Sequence, residues 1–513
     1  MLVKTYAAAL QGVDAILITI EVDSSRGVKY LLVGLPDISV KESHDRIIAA
    51  TTNIGLKFPT RKLTINMAPA DIRKEGAAYD LPIAIGILAA SEKVNPDDVG
   101  NYMMIGELSL DGGLKPVRGV LPFAIKAKEA GFKGFILPKE NAREAAIVSG
   151  LDVYGVDNLL DVVRFFNGEA GLEKTIVDPR QEFYNNQQFI DYDFAEVKGQ
   201  ENVKRAMEVA CAGGHNLLMI GAPGAGKSML AKRLPSILTP LTLRESLETT
   251  KIHSVAGKIK NNGTLIAIRP FRRPHHTISP VALVGGGSFP QPGEISLAHN
   301  GVLFLDEMAE FNRIVLEVLR QPLEDRVISI SRAKYAVEYP ASFMLVAAMN
   351  PCPCGHFNNP QRECLCPEAS VQKYLNRISG PLLDRIDIQI EIVPVPFESI
   401  SNPRPAESSE QVRNRVIAAR EVQNKRFADE QGIYCNAQMN TRLLHRYAQP
   451  DAAGLVLLKN AMEKLDLSAR AYDRILRVSR TIADLEGTPD IQRNHIAEAI
   501  NYRNLDRENW ASR

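Results

Sequence analysis

A glycine-rich stretch near the middle of the chain constrains its fold more than any other feature. The stretch runs Gly221-Ala-Pro-Gly-Ala-Gly-Lys-Ser228 and matches the pattern G-x-x-x-x-G-K-[ST]. The apolar run Leu217–Ile220 precedes it and predicts a buried parallel strand, while the residues after Ser228 begin a helical pattern. Strand, glycine loop and helix form the context in which this motif holds the phosphates of a nucleotide.

Each part of this loop has an expected role in nucleotide binding. Backbone N–H groups at the glycines would surround the phosphates, and the N-terminus of the following helix would add a positive dipole end. Lys227 would neutralise the β and γ oxygens, and the Ser228 hydroxyl would bind Mg²⁺. The predicted nucleotide-binding residues are Gly221, Ala222, Pro223, Gly224, Ala225, Gly226, Lys227, Ser228 and Asp306.

The second informative segment is Val302-Leu-Phe-Leu-Asp-Glu307, an apolar strand that ends in two carboxylates. Two carboxylates at the end of a buried strand cost desolvation free energy unless they contact a cation or water at the edge of the sheet. Asp306 would complete the Mg²⁺ shell with Ser228, and Glu307 would polarise the attacking water. The alternative is a strand that runs out into a solvated turn, and the glycine loop upstream favours the first interpretation.

The composition excludes some settings. With 513 residues the chain is too long for one core, so several domains are expected. Lys+Arg 61 against Asp+Glu 60 gives a net charge of +1, so any attraction to nucleic acid must be local. The longest apolar run, Leu81–Ala90, is too short to cross a bilayer, and the N-terminus does not resemble a secretion signal. A cytoplasmic protein without membrane contact is expected.

Four of the six cysteines form a cluster in the sequence. They are arranged as two C-x-C pairs, Cys352 with Cys354 and Cys364 with Cys366. Four thiolates on one short loop can form a structural tetrahedral Zn²⁺ site, although C-x₂-C is the more common spacing. The alternative is a set of free loop cysteines.

Breaks in the pattern divide the chain into three parts. Residues 1–175 alternate strand-like and helical runs, and the polar stretch Val177–Gln188 that follows is typical of a linker. The nucleotide-binding core is expected at 190–395. A second break, Pro394–Pro405, separates it from a C-terminal part with helical periodicity, at 410–513.

Six motifs follow one another along the chain. They are Gly221–Ser228, Arg269–His276, Pro292–Asn300, Val302–Glu307, Ala348–Gly355 and Gly380–Asp387. In this order they resemble the ComM/YifB family of magnesium-chelatase-like AAA+ ATPases. The resemblance spans nearly the whole chain, and it implies an AAA+ P-loop core with a parallel sheet, a C-terminal helical lid domain, and the use of ATP and Mg²⁺.

The same resemblance implies roles for residues that spacing alone does not mark. Asn350 falls at the sensor-1 position, and Arg470 falls at the sensor-2 position. Arg385 falls where related modules place an arginine finger, which acts on the ATP of a neighbouring subunit and so requires a ring, here a homo-hexamer. With Glu307, these are the predicted catalytic residues. The remaining arginines of the last long helical stretch are expected on its solvated face: Arg474, Arg477 and Arg480.

The N-terminal part is similar to the Lon protease catalytic domain, an α/β fold of the ribosomal S5 domain 2-like type. The similarity rests on Lys74–Pro82, Gly106–Gly119 and Ile136–Asn141. That protease uses a serine activated by a lysine. Here the serine position holds alanine, near Ala77 and Ala78, and the lysine position falls in Val120–Pro122. The resemblance therefore implies a domain for assembly or partner binding rather than proteolysis.

Two segments are candidates for contact with DNA. From Thr249 to Gly293 the chain has no Asp or Glu but carries six basic residues, which is typical of a phosphate-binding surface. A basic rim facing an acidic neighbour in the ring is the alternative. The second candidate is a predicted hairpin at Val327–Tyr339, which in related ring helicases points basic residues into the pore. The candidate DNA contacts are Arg269, Arg272, Arg273, Arg332 and Lys334.

Two classes of function remain open at this point. By resemblance, the first is a hexameric ATP-driven motor on single-stranded or branched DNA, with branch-migration or helicase-like activity in recombination or transformation. The second is a chelatase-like or chaperone-like motor that remodels a protein partner. An ATP-dependent protease is a third, weaker candidate, because the Ser/Lys pair is absent.

Overall fold

The computed structural model describes residues 1–186, 192–259, 264–287, 290–332, 335–357, 362–395, 406–465 and 467–503. Its strands are β1 Leu2–Gln11, β2 Asp14–Ser25, β3 Lys29–Val33, β4 Lys62–Ala68, β5 Tyr102–Met104, β6 Glu107–Leu108, β7 Leu114–Lys115, β8 Gly134–Pro138, β9 Asp152–Val156, β10 Leu217–Gly221, β11 Phe271–Arg272, β12 Gly285–Gly286, β13 Gln291–Pro292, β14 Val302–Leu305, β15 Val327–Arg332, β16 Tyr335–Pro340, β17 Met344–Met349 and β18 Ile388–Ile392. Its helices are α1 Ile38–Lys41, α2 Ser43–Asn53, α3 Asp80–Ala90, α4 Val120–Glu129, α5 Lys139–Ala145, α6 Leu159–Phe166, α7 Pro179–Asn186, α8 Glu201–Gly213, α9 Lys227–Arg233, α10 Leu243–Val255, α11 Pro280–Val284, α12 Glu294–Leu297, α13 Arg313–Glu317, α14 Arg320–Asp325, α15 Glu368–Leu375, α16 Gly380–Leu383, α17 Ser409–Arg426, α18 Thr441–Tyr447, α19 Ala452–Lys464, α20 Ala469–Leu485 and α21 Arg493–Asn501.

The chain forms two compact units, and the first consists of Met1–Gln188 with Thr242–Ala267. Its seven-stranded sheet has the order β3-β4-β2-β1-β5-β8-β9. Long strands β1 and β2 pair antiparallel, whereas β5, β8 and β9 run parallel to one another. Helix α3 is apolar after its first residue, Asp80, and is buried on every face, so it forms the centre of this core.

The stretch predicted as a linker contains a helix. Helix α7 lies in this first unit, where Glu182 accepts a hydrogen bond from Arg143 at 2.7 Å and another from Thr264 Oγ1 at 2.6 Å. The polar composition of this stretch therefore reflects a helix tied down by side-chain hydrogen bonds rather than a free connection.

The first unit also includes Thr242–Ala267, the middle part of the segment between α9 and β11. Ser254 of helix α10 accepts a backbone hydrogen bond from Gly119 at 3.1 Å, and its hydroxyl donates to the buried carboxyl of Glu144 at 2.5 Å. Lys251 lies 2.5 Å from Asp14. The first half of the acid-free segment is thus folded with the N-terminal unit, and only residues 268–293 belong to the nucleotide-binding unit.

The second unit, Phe189–Leu241 with Ile268–Arg513, is built on a five-stranded parallel sheet. The strand order is β11-β14-β17-β10-β18, and the central strands β10, β14 and β17 are buried along their lengths. Continuous apolar runs of this kind are expected where both faces of a parallel sheet are covered. The parallel register brings the carboxyl ends of β10, β14 and β17 to one edge.

Helices α17 to α21 form the C-terminal part of this unit. Val416, Ile475 and Ile482 are buried in the same hydrophobic core as Val209 of helix α8, so the helical part packs directly on the nucleotide-binding core. The predicted fold class is confirmed: an α/β N-terminal part, a P-loop core with a parallel sheet, and a helical C-terminal part. Among the residues that the structure describes, no helix is both long and apolar enough to span a bilayer.

Candidate active site

The glycine loop joins strand β10 to helix α9 at the carboxyl edge of the parallel sheet. Gly224 and Gly226 adopt φ values of 79° and 90°, a backbone region that side chains disfavour. These two residues turn the chain sharply before Lys227 begins the helix. The strand, loop and helix are placed as the sequence motif predicts.

Lys227 connects the loop to the end of strand β17. Its Nζ donates to the carbonyl oxygens of Gly221 and Ala222 at 2.6 and 2.9 Å, and to Asn350 Oδ1 at 3.1 Å. Burial lowers the pKa of Lys227, and the nearby Asp306 and Glu307 carboxylates oppose that shift. The predicted phosphate-binding lysine and the predicted sensor-1 residue therefore lie in direct contact.

Ser228 and Asp306 form the predicted magnesium pair. The Ser228 hydroxyl donates to Asp306 Oδ2 at 2.7 Å. A hydroxyl and a carboxylate oxygen are ligands that suit Mg²⁺, which keeps part of its water shell and is completed by substrate phosphates. The side chains present therefore fit Mg²⁺ bound together with a nucleotide. Glu307 follows with a φ of 54° and a side chain that is 60% exposed.

Two basic side chains that the sequence did not assign to this site contact its carboxylates. Arg273 Nη2 donates to the same Asp306 Oδ2 at 2.6 Å, and its guanidinium lies 5.7 Å from the centre of the Phe304 ring. His276 Nδ1 lies 3.5 Å from Glu307 Oε2. Strand pairing explains why they lie here. Strand β11 ends at Arg272 and runs parallel to strand β14, which ends just before Asp306, so the residues that follow the two strands reach the same edge of the sheet.

Arg269 and Arg272, the other two candidate DNA contacts from the acid-free segment, also have hydrogen-bond acceptors within the protein. Arg269 donates to the carbonyl oxygens of Thr239 and Asn300 at 2.6 and 2.7 Å. Arg272 donates to both carboxylate oxygens of Glu294 at 2.7 Å. DNA contact by either one stays a prediction, and it would require these contacts to open.

The predicted hairpin is confirmed as the antiparallel pair β15 and β16. Its backbone register runs from Val327 opposite Pro340 to Arg332 opposite Tyr335. Lys334 and the side chain of Arg332 lie outside the described residues. The hairpin lies in the chain between β14 and β17, the strands that carry Asp306 and Asn350.

A separate arginine-lined cavity holds the predicted arginine finger, Arg385, and the predicted sensor-2 residue, Arg470. The cavity has a volume of about 300 Å³, and its lining includes no residue of the glycine loop. Arg385 donates to Pro381 O at 2.7 Å and pairs with Glu324, while Arg470 Nη1 lies 3.4 Å from Asp384 Oδ2. The five arginines that line it are Arg326, Arg385, Arg470, Arg474 and Arg477.

The solvated face predicted for the arginines of helix α20 is wrong for two of them. Arg474 is 8% exposed and lies 3.4 Å from Asp387, and Arg480 is 3% exposed and lies 3.0 Å from Asp484. The physical reason is that a buried carboxylate compensates each buried guanidinium. Arg474 nevertheless keeps a buried Nη1 without a hydrogen-bond partner among the described residues.

The four clustered cysteines come together in space. Their Sγ atoms all lie within 4.8 Å of one another, with Cys352 to Cys354 at 3.3 Å, Cys352 to Cys364 at 3.7 Å and Cys354 to Cys364 at 3.6 Å. Zn–S bonds of about 2.3 Å in a tetrahedron place sulfur atoms about 3.8 Å apart. The backbone N–H of Phe357 also donates to Cys352 Sγ at 3.3 Å. This set of donors fits a tetrahedral thiolate metal site.

Comparison with known proteins places the chain in a family. Profiles described as magnesium chelatase, subunit ChlI, match residues 193–400 and, for its C-terminal part, 406–503. Competence protein ComM of Haemophilus influenzae is 45% identical over 504 residues, which cover 98% of this chain and 97% of that protein. The chain belongs to the ComM/YifB family. Protein YifB of Salmonella typhimurium is 44% identical over 506 residues, with 98% and 97% covered.

Membership in this magnesium-chelatase-like AAA+ family indicates an ATPase that uses ATP and Mg²⁺. The nucleotide site described above has the side chains for both. Lys227 and Ser228 would hold the phosphates and the metal, while Glu307 and Asn350 stand at the sheet edge where a water would attack. The metal would neutralise the phosphate oxygens when bound with the nucleotide.

The N-terminal unit carries its own similarities. A profile described as subunit ChlI of Mg-chelatase matches residues 20–141. Lon protease 2 of Bacillus subtilis is 30% identical over 125 residues, which cover 24% of this chain and 22% of that protein. At the expected position of the protease lysine, Val120, Leu121 and Pro122 start helix α4 and are buried. These apolar side chains supply no base for a nucleophile.

Proposed function

We propose that this protein is an ATP-hydrolysing motor that works as a homo-hexameric ring on DNA. The hydrolysis part rests on the contacts at the sheet edge, where Lys227 meets Asn350 and Ser228 meets Asp306. In this assignment Asp306 orients the magnesium ion and Glu307 polarises the attacking water. Asn350 holds that water in line with the terminal phosphate.

The ring part is supported by where the other two predicted catalytic residues lie. Arg385 and Arg470 line one cavity, and none of its lining residues comes from the glycine loop. Side chains placed away from their own phosphate site can act on the nucleotide of a neighbouring subunit. An arginine supplied in this way contributes about 10³ to 10⁵ in rate. Hydrolysis then depends on assembly.

The observation that carries the DNA part is the hairpin formed by β15 and β16. It leaves the parallel sheet between the strands that present Asp306 and Asn350, so a movement at the nucleotide can reach it through both strands. The competence named for one relative also favours DNA. A motor that remodels a protein partner is the alternative, and the chelatase profile over residues 193–400 favours it.

The experiment that separates these functions measures ATP turnover with single-stranded, duplex and branched DNA. We expect stimulation by DNA. Arg332→Ala and Lys334→Ala should leave hydrolysis running while strand movement fails. If Arg269 and Arg272 contact phosphates, Arg269→Ala and Arg272→Ala should each weaken binding to DNA of any sequence. Each should also reduce the slope of log affinity against log salt concentration by about one. ATP turnover that is unchanged by single-stranded, duplex and branched DNA, together with the absence of salt-sensitive DNA binding, would contradict the DNA motor and favour protein remodelling.

We also propose that the four cysteines hold a structural zinc ion. Their sulfur–sulfur distances match a tetrahedral thiolate site, and four protein ligands leave no open position for chemistry. Purified protein kept under reducing conditions should contain about one zinc per chain. Metal analysis that finds none would end this proposal.

A further inference from the structure

The cysteine cluster is joined to the nucleotide site by a very short stretch of chain. Asn350 accepts a hydrogen bond from Lys227 at 3.1 Å, and Cys352, which is completely buried, follows two residues later. The backbone N–H of Gly355 donates to the carbonyl of Cys352 at 3.0 Å, which closes a tight turn. The turn 350–355 therefore has a nucleotide-site residue at one end and two of the four sulfur ligands within it.

The far end of this turn packs on the glycine loop itself. Gly355 has a φ of 81°, and a Cβ added there would lie 2.7 Å from Pro223 Cγ and closer still to Pro223 Cδ. Real Cβ atoms do not approach so closely, so only glycine permits this contact. The turn thus touches the nucleotide site twice, at Lys227 through Asn350 and at Pro223 through Gly355.

Holding four cysteines this close requires a reason. Thiolates at 3.3 to 3.7 Å repel one another, and a bound dication removes that repulsion while fixing the positions of all four sulfur atoms. Cys364 and Cys366 come from a later part of the loop, so the ion would tie that part to the turn.

We propose that the zinc ion clamps turn 350–355 against the glycine loop, and that its presence sets the affinity of the site for nucleotide. The inference rests on the zinc centre proposed above and adds a function to it. The clamp fixes Asn350 beside Lys227 and holds Pro223 in place within the glycine loop. Loss of zinc frees both contacts at once, so ATP should bind about tenfold more weakly.

The test uses the full-length chain and two glycine variants with matched backbone strain. Gly355→Ala places a Cβ against Pro223. Gly432→Ala imposes a similar strain, since Gly432 has a φ of 74°, but nothing lies within 4 Å of its added Cβ. We expect Gly355→Ala to keep its zinc and lose about tenfold in affinity for a fluorescent ATP analogue. Gly432→Ala should match the wild type in both measurements.

Metal removal from the wild-type protein provides the second arm, which does not depend on a variant folding. A chelator should weaken binding of the ATP analogue, and added Zn²⁺ should restore it. Protein purified without zinc would contradict the zinc centre itself. Zinc that is present and removable, with unchanged nucleotide affinity, would overturn the clamp while leaving the zinc centre intact. Equal losses in Gly355→Ala and Gly432→Ala would also overturn it.

Discussion

Replacing Arg273 by glutamine should change how tightly the nucleotide site holds Mg²⁺. Arg273 Nη2 donates to Asp306 Oδ2 at 2.6 Å, and the same oxygen accepts a hydrogen bond from Ser228 at 2.7 Å. Because Ser228 and Asp306 are the predicted magnesium ligands, the guanidinium and the cation compete for one carboxylate oxygen. Glutamine removes the positive charge and keeps a polar side chain, so Arg273→Gln should bind Mg²⁺ more tightly.

The exposure of the two side chains sets the size of this effect. Arg273 is 44% exposed and Asp306 is 18% exposed. Fully exposed ion pairs contribute about 0–1 kcal/mol, and hydrogen bonds to charged groups about 1.5–3 kcal/mol. A half-exposed pair lies between these values, at about 1–2 kcal/mol. The Mg²⁺ concentration at half-saturation should therefore fall by about 5-fold to 30-fold.

A magnesium titration at a fixed concentration of a fluorescent ATP analogue measures this midpoint. Arg272→Gln is the matched control, because Arg272 donates to both oxygens of Glu294 and not to Asp306. An unchanged midpoint in Arg273→Gln would refute the competition. Equal shifts in both variants would show that general positive charge, and not the contact with Asp306, is responsible.

Three further predictions concern hydrolysis, assembly and stability. Glu307→Gln should bind ATP and assemble normally but hydrolyse very slowly, as a steady-state phosphate-release assay would show; normal turnover would dismiss Glu307 as the residue that polarises water. Arg385→Ala should lose about 10³ or more in turnover with nearly intact ATP affinity, and mixing it with Lys227→Ala subunits should partly restore activity; a failure of every mixture would place the finger elsewhere. Burial alone would raise the pKa of Asp387. His215 and Arg474 lower this pKa by more than burial raises it, so that it lies at about 2. The Asp387 carboxylate therefore stabilises the fold above its ordinary pKa, and this stability is lost as the pH falls from about 4 towards 2. Asp387→Asn should lower the free energy of unfolding at neutral pH by about 3 kcal/mol in a denaturant titration, because it leaves Arg474 buried beside a neutral group; an unchanged unfolding midpoint would contradict that role.

The sequence predicted the strand–loop–helix arrangement around Lys227 and the strand before Asp306 because each is a local pattern. Gly221–Ser228 and Val302–Glu307 each combine an apolar strand with the polar residues that end it, so their positions at the sheet edge follow from strand geometry alone. Asn350 needed the family resemblance, because one asparagine after a strand has no distinctive spacing. Its contact with Lys227 then depends on strand order, which sequence periodicity does not specify.

Arg474 and segment 242–267 were misplaced because each depends on partners far away in the chain. Helical periodicity predicts which face of helix α20 carries Arg474, but it does not predict which other part of the chain packs against that face. The expectation that Arg474 is solvent-exposed was therefore wrong. The partner of Arg474, Asp387, directly precedes strand β18 and lies on the other side of the predicted boundary between the core and the helical C-terminal part. Segment 242–267 gave no local sign that it folds with the N-terminal unit, since its contacts with Gly119 and Glu144 are also long-range.

The acid-free segment shows why charge counted in a window differs from charge on a surface. The window closes at Gly293, and the next residue, Glu294, is the acid that pairs with Arg272. Asp306, a short distance further on, pairs with Arg273. The acids that neutralise Arg272 and Arg273 therefore lie just outside the window that defines the segment, whereas the acid that pairs with Lys251, Asp14, lies far away in the chain. A positive window predicts DNA binding only where its cations lack such partners, so the hairpin formed by β15 and β16 is the sharper test of the DNA proposal.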